Sequence, residues 1–116
     1  MANLNLEKAK TYKLVDLLEY LPDAIVIHPV LRKNTGDISL ISYDAGVKVV
    51  RKKSPFDAFI EVLEGKAEII IDTESHFLET GQVIIIPAHA ANTIIATVQF
   101  KMLRTIIKNG YEDIGL

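Results

Sequence analysis

The side chains that could hold an ion or move a proton are few and scattered. Three histidines occur, His28, His76 and His89. No two of them stand in an H-x-H or H-x3-H relation, so a local metal motif is absent. His28 lies in an apolar run beside Pro29 and reads as a packed or edge residue. His76 reads as solvated at a loop edge, and His89, just after Pro87, as facing a pocket mouth. The chain has no cysteine, which removes disulfides, thiolate metal sites and a cysteine nucleophile. Neither a G-x-S-x-G elbow nor a G-K-[ST] phosphate loop is present. The remaining polar candidates are Lys52, within the basic triplet Arg51-Lys52-Lys53, and Ser54 and Asn92. Taken alone, Lys52 reaches solvent along its aliphatic stem, and Asn92 bonds at a turn or strand start. Asp57 and Glu61 would pair with surface lysines for little gain.

The elements that must position these groups are short. Leu14, Leu17, Leu18 and Leu21 fall at helical spacing, so a helix is predicted over Tyr12 to Leu21, ended by Pro22. Beyond it, runs rich in Val, Ile, Thr, Tyr and Phe alternate with turn residues. Strands are predicted at Ala24–Leu31, Asp37–Tyr43, Val47–Lys53, Phe56–Leu63, Lys66–Asp72, His76–Leu78, Val83–Ile86, Thr93–Val98 and Phe100–Lys108. Glu64-Gly65 reads as a tight turn folding its flanking strands into a hairpin. Ser54-Pro55 interrupts a strand, because proline lacks a ladder donor. Many short strands with regular turns argue for a sandwich or barrel.

The chain has 116 residues, 49% of them hydrophobic, and a formal net charge of -2. That suffices for one domain with a sizeable core and favours neither nucleic acid nor an anionic membrane. Met1 to Lys10 shows no apolar signal-peptide core. The longest apolar run, Val83 to Ala88, is too short for a membrane helix. A soluble, cytoplasmic protein is expected, with no nucleic-acid or membrane partner. The unbroken apolar runs Val83–Ile86 and Ile69–Ile71 need cover on both faces, which predicts a homodimer.

Two glycine-anchored patterns give the sequence its identity. One runs from Gly46 through Lys52, Ser54 and Ala58 to Gly65; the other runs from Gly81 through Pro87 and His89 to Asn92. With the segments SPFDAFIEVLEGKAEIIID, GQVIIIPAHAAN and FKMLRTIIK, they resemble the cupin superfamily over Ala24 to Lys108. The match is to small single-domain cupins of unassigned function. The resemblance implies an all-β fold, a double-stranded β-helix or jelly-roll-like barrel with a short N-terminal helix. It divides the chain into an arm and helix (1–23), a barrel (24–108) and a tail (109–116).

The resemblance also implies His, His, Glu and His where Lys52, Ser54, Ala58 and Asn92 stand. A protonated lysine offers no lone pair, alanine offers nothing, and serine and asparagine are weak ligands. The expectation is therefore no metal and no cofactor. In the family register Ala58, Ile60 and Val62 point inward while Asp57, Phe59 and Glu61 point outward. The pocket would be apolar, with Lys52, Ser54, Asn92 and His89 as its polar groups, suited to a small anionic or carbonyl-bearing molecule. Two other readings stay open: a metal-dependent cupin enzyme (dioxygenase, isomerase or decarboxylase) with unusual ligands, and a protein-interaction module. Acid–base pairs such as His28 or His89 with Tyr43, or Asp57 with His89, find no support in spacing.

Overall fold

Alternation of apolar and polar residues is strong enough that most of the expected strands form near their expected positions. The protein is described by a computed structural model over residues 5–108. The expected tail, 109–116, and the first four residues lie outside the described residues. Eight strands are present among the described residues: β1 (Ile25–Lys33), β2 (Gly36–Tyr43), β3 (Lys48–Arg51), β4 (Asp57–Ile71), β5 (Glu74–Glu79), β6 (Val83–Ile86), β7 (Asn92–Ile95) and β8 (Phe100–Ile107). All pair antiparallel, and the path β1-β2-β8-β4-β7-β3 curls into a barrel. β5 and β6 flank the two halves of β4.

The expected turn at Glu64-Gly65 is not a turn. β4 runs on through it for 15 residues. Its first part pairs with β6 and β8, its last part with β5 and β7. Gly65 has φ +85°, and a Cβ there would run into the carbonyl oxygen of Gln99. The pairing with β8 slips between Val62 and Glu64, the mark of a bulge. Glycine is needed to bend one strand from one sheet into the next, and a single positive φ looks the same in sequence whether the chain reverses or bends.

The predicted helix is also corrected. Only a single 3-10 turn forms, over Leu14–Asp16. The barrel takes the hydrogen bonds that a helix would have used. In a helix Val15 O would accept from Glu19 N; instead the barrel reaches this stretch of backbone, Ser42 Oγ donating to Glu19 O and the Asp44 carboxylate accepting from Asp23 N just beyond it. Lys101 Nζ likewise donates to Val15 O at 2.6 Å. The leucine spacing still serves packing, since Leu18 is buried.

The core fills the barrel with Ile41, Tyr43, Ile60, Val62, Ile69, Ile94, Phe100 and Met102, all at most 1% exposed. The Tyr43 and Phe100 rings stack with centroids 4.5 Å apart. Ile60 and Val62 are buried as the register required. The expectation that Val83–Ile86 is covered on both faces fails within this chain. Ile86 is buried, but Val83 and Ile85 are 51% and 59% exposed on an edge strand. Among the described residues, no helix is long and apolar enough to cross a membrane.

Candidate functional site

Period-two alternation decides which polar side chains enter the barrel. On β3, Val49 packs against the core, so Arg51, two residues on, points the same way. On β8, Phe100 and Met102 are buried, which carries Arg104 inward as well. Asn92 opens β7 directly opposite Arg51 and beside Ile71 of β4. Arg104 stands between Ser39 of β2 and Ile60 of β4. Strands far apart in sequence thus bring two guanidinium groups and an amide to one end of the barrel.

They enclose a cavity of about 100 Å³. Its polar lining is Arg51, Lys52, Ser54, Asn92 and Arg104. Its apolar wall includes Ala58, Ile60, Ile94 and Ile106. Three of the four sequence-predicted binding residues therefore meet here. Lys52 is exposed at the rim, because the alternation that turns Val49 and Arg51 inward turns it outward. Ser54 Oγ accepts from Phe56 N at 3.2 Å and so shapes its own loop. His89 is exposed, with φ +68°, and its ring is not among the lining groups. Its N–H donates to Ser54 O at 2.6 Å and ties the two loops together. Asp57 accepts from Ala88 N at 2.8 Å and fixes the same loop.

The other histidines sit elsewhere. His28 on β1 has Nδ1 3.0 Å from Pro29 O. His76 on β5 lies 3.9 Å from the Glu74 carboxylate. Neither lines the cavity.

The two arginines were missed by the sequence reading, and they dominate the electrostatics. Among the described residues neither has a carboxylate within ion-pair distance. Arg104 Nε and Nη1 are buried with no hydrogen-bond partner, and so is Asn92 Oδ1. Burial lowers the Arg104 pKa, and the like charge of Arg51 lowers it further, with Arg32 adding to this; Tyr43 and Asp37 oppose the shift. A guanidinium nonetheless stays protonated. Below the arginines, burial pushes the Tyr43 phenol up, partly offset by Arg51 and Arg104. The Tyr43 hydroxyl is itself buried without a hydrogen-bond partner. The signal for both arginines was present in the alternation of Val47-Lys48-Val49-Val50-Arg51 and Phe100-Lys101-Met102-Leu103-Arg104.

This lining does not fit a metal ion. Two guanidinium groups and an ammonium repel a cation, and none of the three carries a lone pair to offer. Among the described residues no group of three or more His, Asp or Glu side chains stands close enough to share an ion. What the cavity can do is attract negative charge and donate hydrogen bonds from a partly desolvated setting.

No protein-family model and no curated protein matches the chain. Solved structures do. A conserved protein of unknown function from Streptococcus pyogenes is 30% identical, with a TM-score of 0.86 over 96% of this chain and 98% of its own. A cupin superfamily protein from Desulfitobacterium hafniense is 27% identical, with a TM-score of 0.84 over 93% of this chain and 100% of its own. A cupin 2 conserved barrel domain protein from Leptotrichia buccalis is 26% identical, with a TM-score of 0.80 over 84% of this chain and 47% of its own.

Proposed function

Because this chain belongs to the cupin superfamily, we propose that its barrel keeps the family's ligand position but uses it without a metal, to bind a small anion. The observation that carries this reading is Arg104. The residue faces inward and lines the cavity, and two of its guanidinium nitrogens are buried without a partner. A buried donor left unsatisfied costs about 1–3 kcal/mol, and an uncompensated buried charge costs more. Arg51 adds a second positive charge instead of neutralising the first. An anion in the cavity supplies the countercharge that the two guanidinium groups lack. Lys52 at the rim adds attraction on approach.

Thermal denaturation in a low-anion buffer tests this. A ligand that prefers the folded state raises the midpoint, and the rise grows with the logarithm of its concentration once that exceeds Kd. Acetate and inorganic phosphate should raise it, and glycerol, which is similar in size but uncharged, should not. The rise should vanish in Arg104→Met and weaken in Arg51→Met. A wild-type midpoint indifferent to every anion would refute the proposal.

A further inference from the structure

The polar groups that line the cavity all offer donors. Arg51, Lys52 and Arg104 are cations with N–H groups and no acceptor. The Asn92 carbonyl oxygen is occluded, so what that side chain offers a ligand is its amide N–H groups. Ser54 Oγ already accepts from Phe56 N, and its hydroxyl proton can donate. Among the described residues no Asp or Glu lines the cavity. The nearby Asp57 is engaged instead with Ala88 N. Resting on the anion-binding reading, we infer that the ligand is a compact dianion whose polar atoms are all acceptors, a tetrahedral oxyanion of the sulfate kind or a short dicarboxylate, with its two charges matched to Arg51 and Arg104.

Charge separates this ligand from the alternatives. Arg104 feels Arg51 and Arg32 as like charges, with Asp37 the carboxylate that opposes them. Asp37 stands across from Ile106 in the pairing of β2 with β8 and makes no ion pair with Arg104. A monoanion therefore compensates one guanidinium and leaves the other bare in a partly desolvated setting, where charge counts most. A dianion compensates both. A protonated acid or a hydroxyl would bring a donor to a wall of donors, and an ammonium would add a like charge as well. Size sets the other limit. A cavity of about 100 Å³ takes an ion of only a few water-sized groups, each of which fills about 30 Å³ in the liquid. A sugar phosphate exceeds it.

Two matched pairs of ions test this by isothermal titration of the whole protein near neutral pH and at fixed ionic strength. Sulfate and methanesulfonate are alike in shape and differ by one charge, and so are malonate and malonamate. At least one dianion should bind about tenfold or more tightly than its singly charged counterpart. A preference in the sulfate pair alone would identify the ligand as the tetrahedral ion, and one in the malonate pair alone as the dicarboxylate. Arg51→Met should bring the ratio close to one, because a single guanidinium then remains. If Arg51→Met does not fold, the wild-type pairs decide. An undiminished ratio in a folded Arg51→Met protein would overturn the match to the two arginines. Dianions that bind no better than their counterparts would overturn the charge assignment and leave anion binding intact. Failure of all four ions would bring down both this inference and the reading it rests on.

Discussion

Replacing Arg104 with methionine is expected to stabilise the empty protein while weakening its hold on an anion. The unliganded barrel keeps two guanidinium nitrogens away from solvent without partners. Each unsatisfied donor costs about 1–3 kcal/mol. Methionine removes both donors and the charge that Arg51 opposes, and its thioether fills much of the space left by the arginine stem. Set against this are the lost attraction to Asp37 and a small void where the guanidinium was. The expected net gain is about 1–3 kcal/mol, worth several degrees in Tm for a domain of this size. Charge-assisted hydrogen bonds contribute roughly 1.5–3 kcal/mol each. Losing one should weaken acetate binding by about 10- to 150-fold. Urea unfolding of both proteins, with and without acetate, reads the two effects separately. The curves should cross: the variant more stable without acetate, the wild type gaining on addition. An Arg104→Met protein that is less stable than wild type without any anion would show that the fold already satisfies this guanidinium. The argument for the ligand would then lose its footing.

Other consequences can be checked independently. Asp44 accepts from Asp23 N and from Gln99 Nε2 at 2.7 and 2.9 Å, and these bonds, Gln99's foremost, hold its pKa below the ordinary 3.8. A depressed folded-state pKa contributes stability that is present above the unfolded value and lost as pH falls through the folded one. Urea midpoints of Asp44→Asn and wild type should therefore differ at pH 6 and converge below about pH 4; a constant gap would contradict this. Gly65→Ala should cost about 3 kcal/mol or more, since its Cβ meets the Gln99 carbonyl. Gly46→Ala, at φ +88° but in open space, should cost only about 1 kcal/mol. Similar thermal shifts for the two would remove the claim of close approach at Gly65. The bare Val83 and Ile85 on β6 should bring two chains together, giving a dimer mass by light scattering that Ile85→Lys lowers to a monomer. A wild-type monomer would end that expectation.

The strands were legible because each one writes its own alternation. Phe100, Met102 and Arg104 state their facing in eight residues of β8. The meaning of Gly65 was not local. Whether a positive φ reverses a strand or bends it depends on Gln99, 34 residues away, whose carbonyl approaches it. Of the arm's leucines Leu18 is buried but Leu21 is exposed, and Lys101 took a backbone carbonyl that the helix would have used. The cavity was half legible. Lys52, Ser54 and Asn92 were found through their places in the glycine-anchored patterns, and they do share a wall. Arg51 was passed over because the triplet gives no sign of which member ends the strand. Arg104 was passed over because its role depends on its pairing with Ser39 and Ile60.

Lys101 has a consequence for how the chain can be divided. Its ammonium is 2.6 Å from Val15 O, 3.8 Å from Glu64 and 5.2 Å above the Tyr20 ring, and its side chain is only 11% exposed. Tyr20 in turn donates to Glu64 at 2.6 Å. One cation thus rivets the arm to the wall of the barrel. Trimming the chain at residue 24 would strip that cation of its carbonyl and its aromatic cover and leave the buried Ser42 hydroxyl without the Glu19 carbonyl. The change in sequence texture after Pro22 is a change of local grammar only. These contacts make the arm part of the barrel's wall, and a shortened protein would be a damaged one.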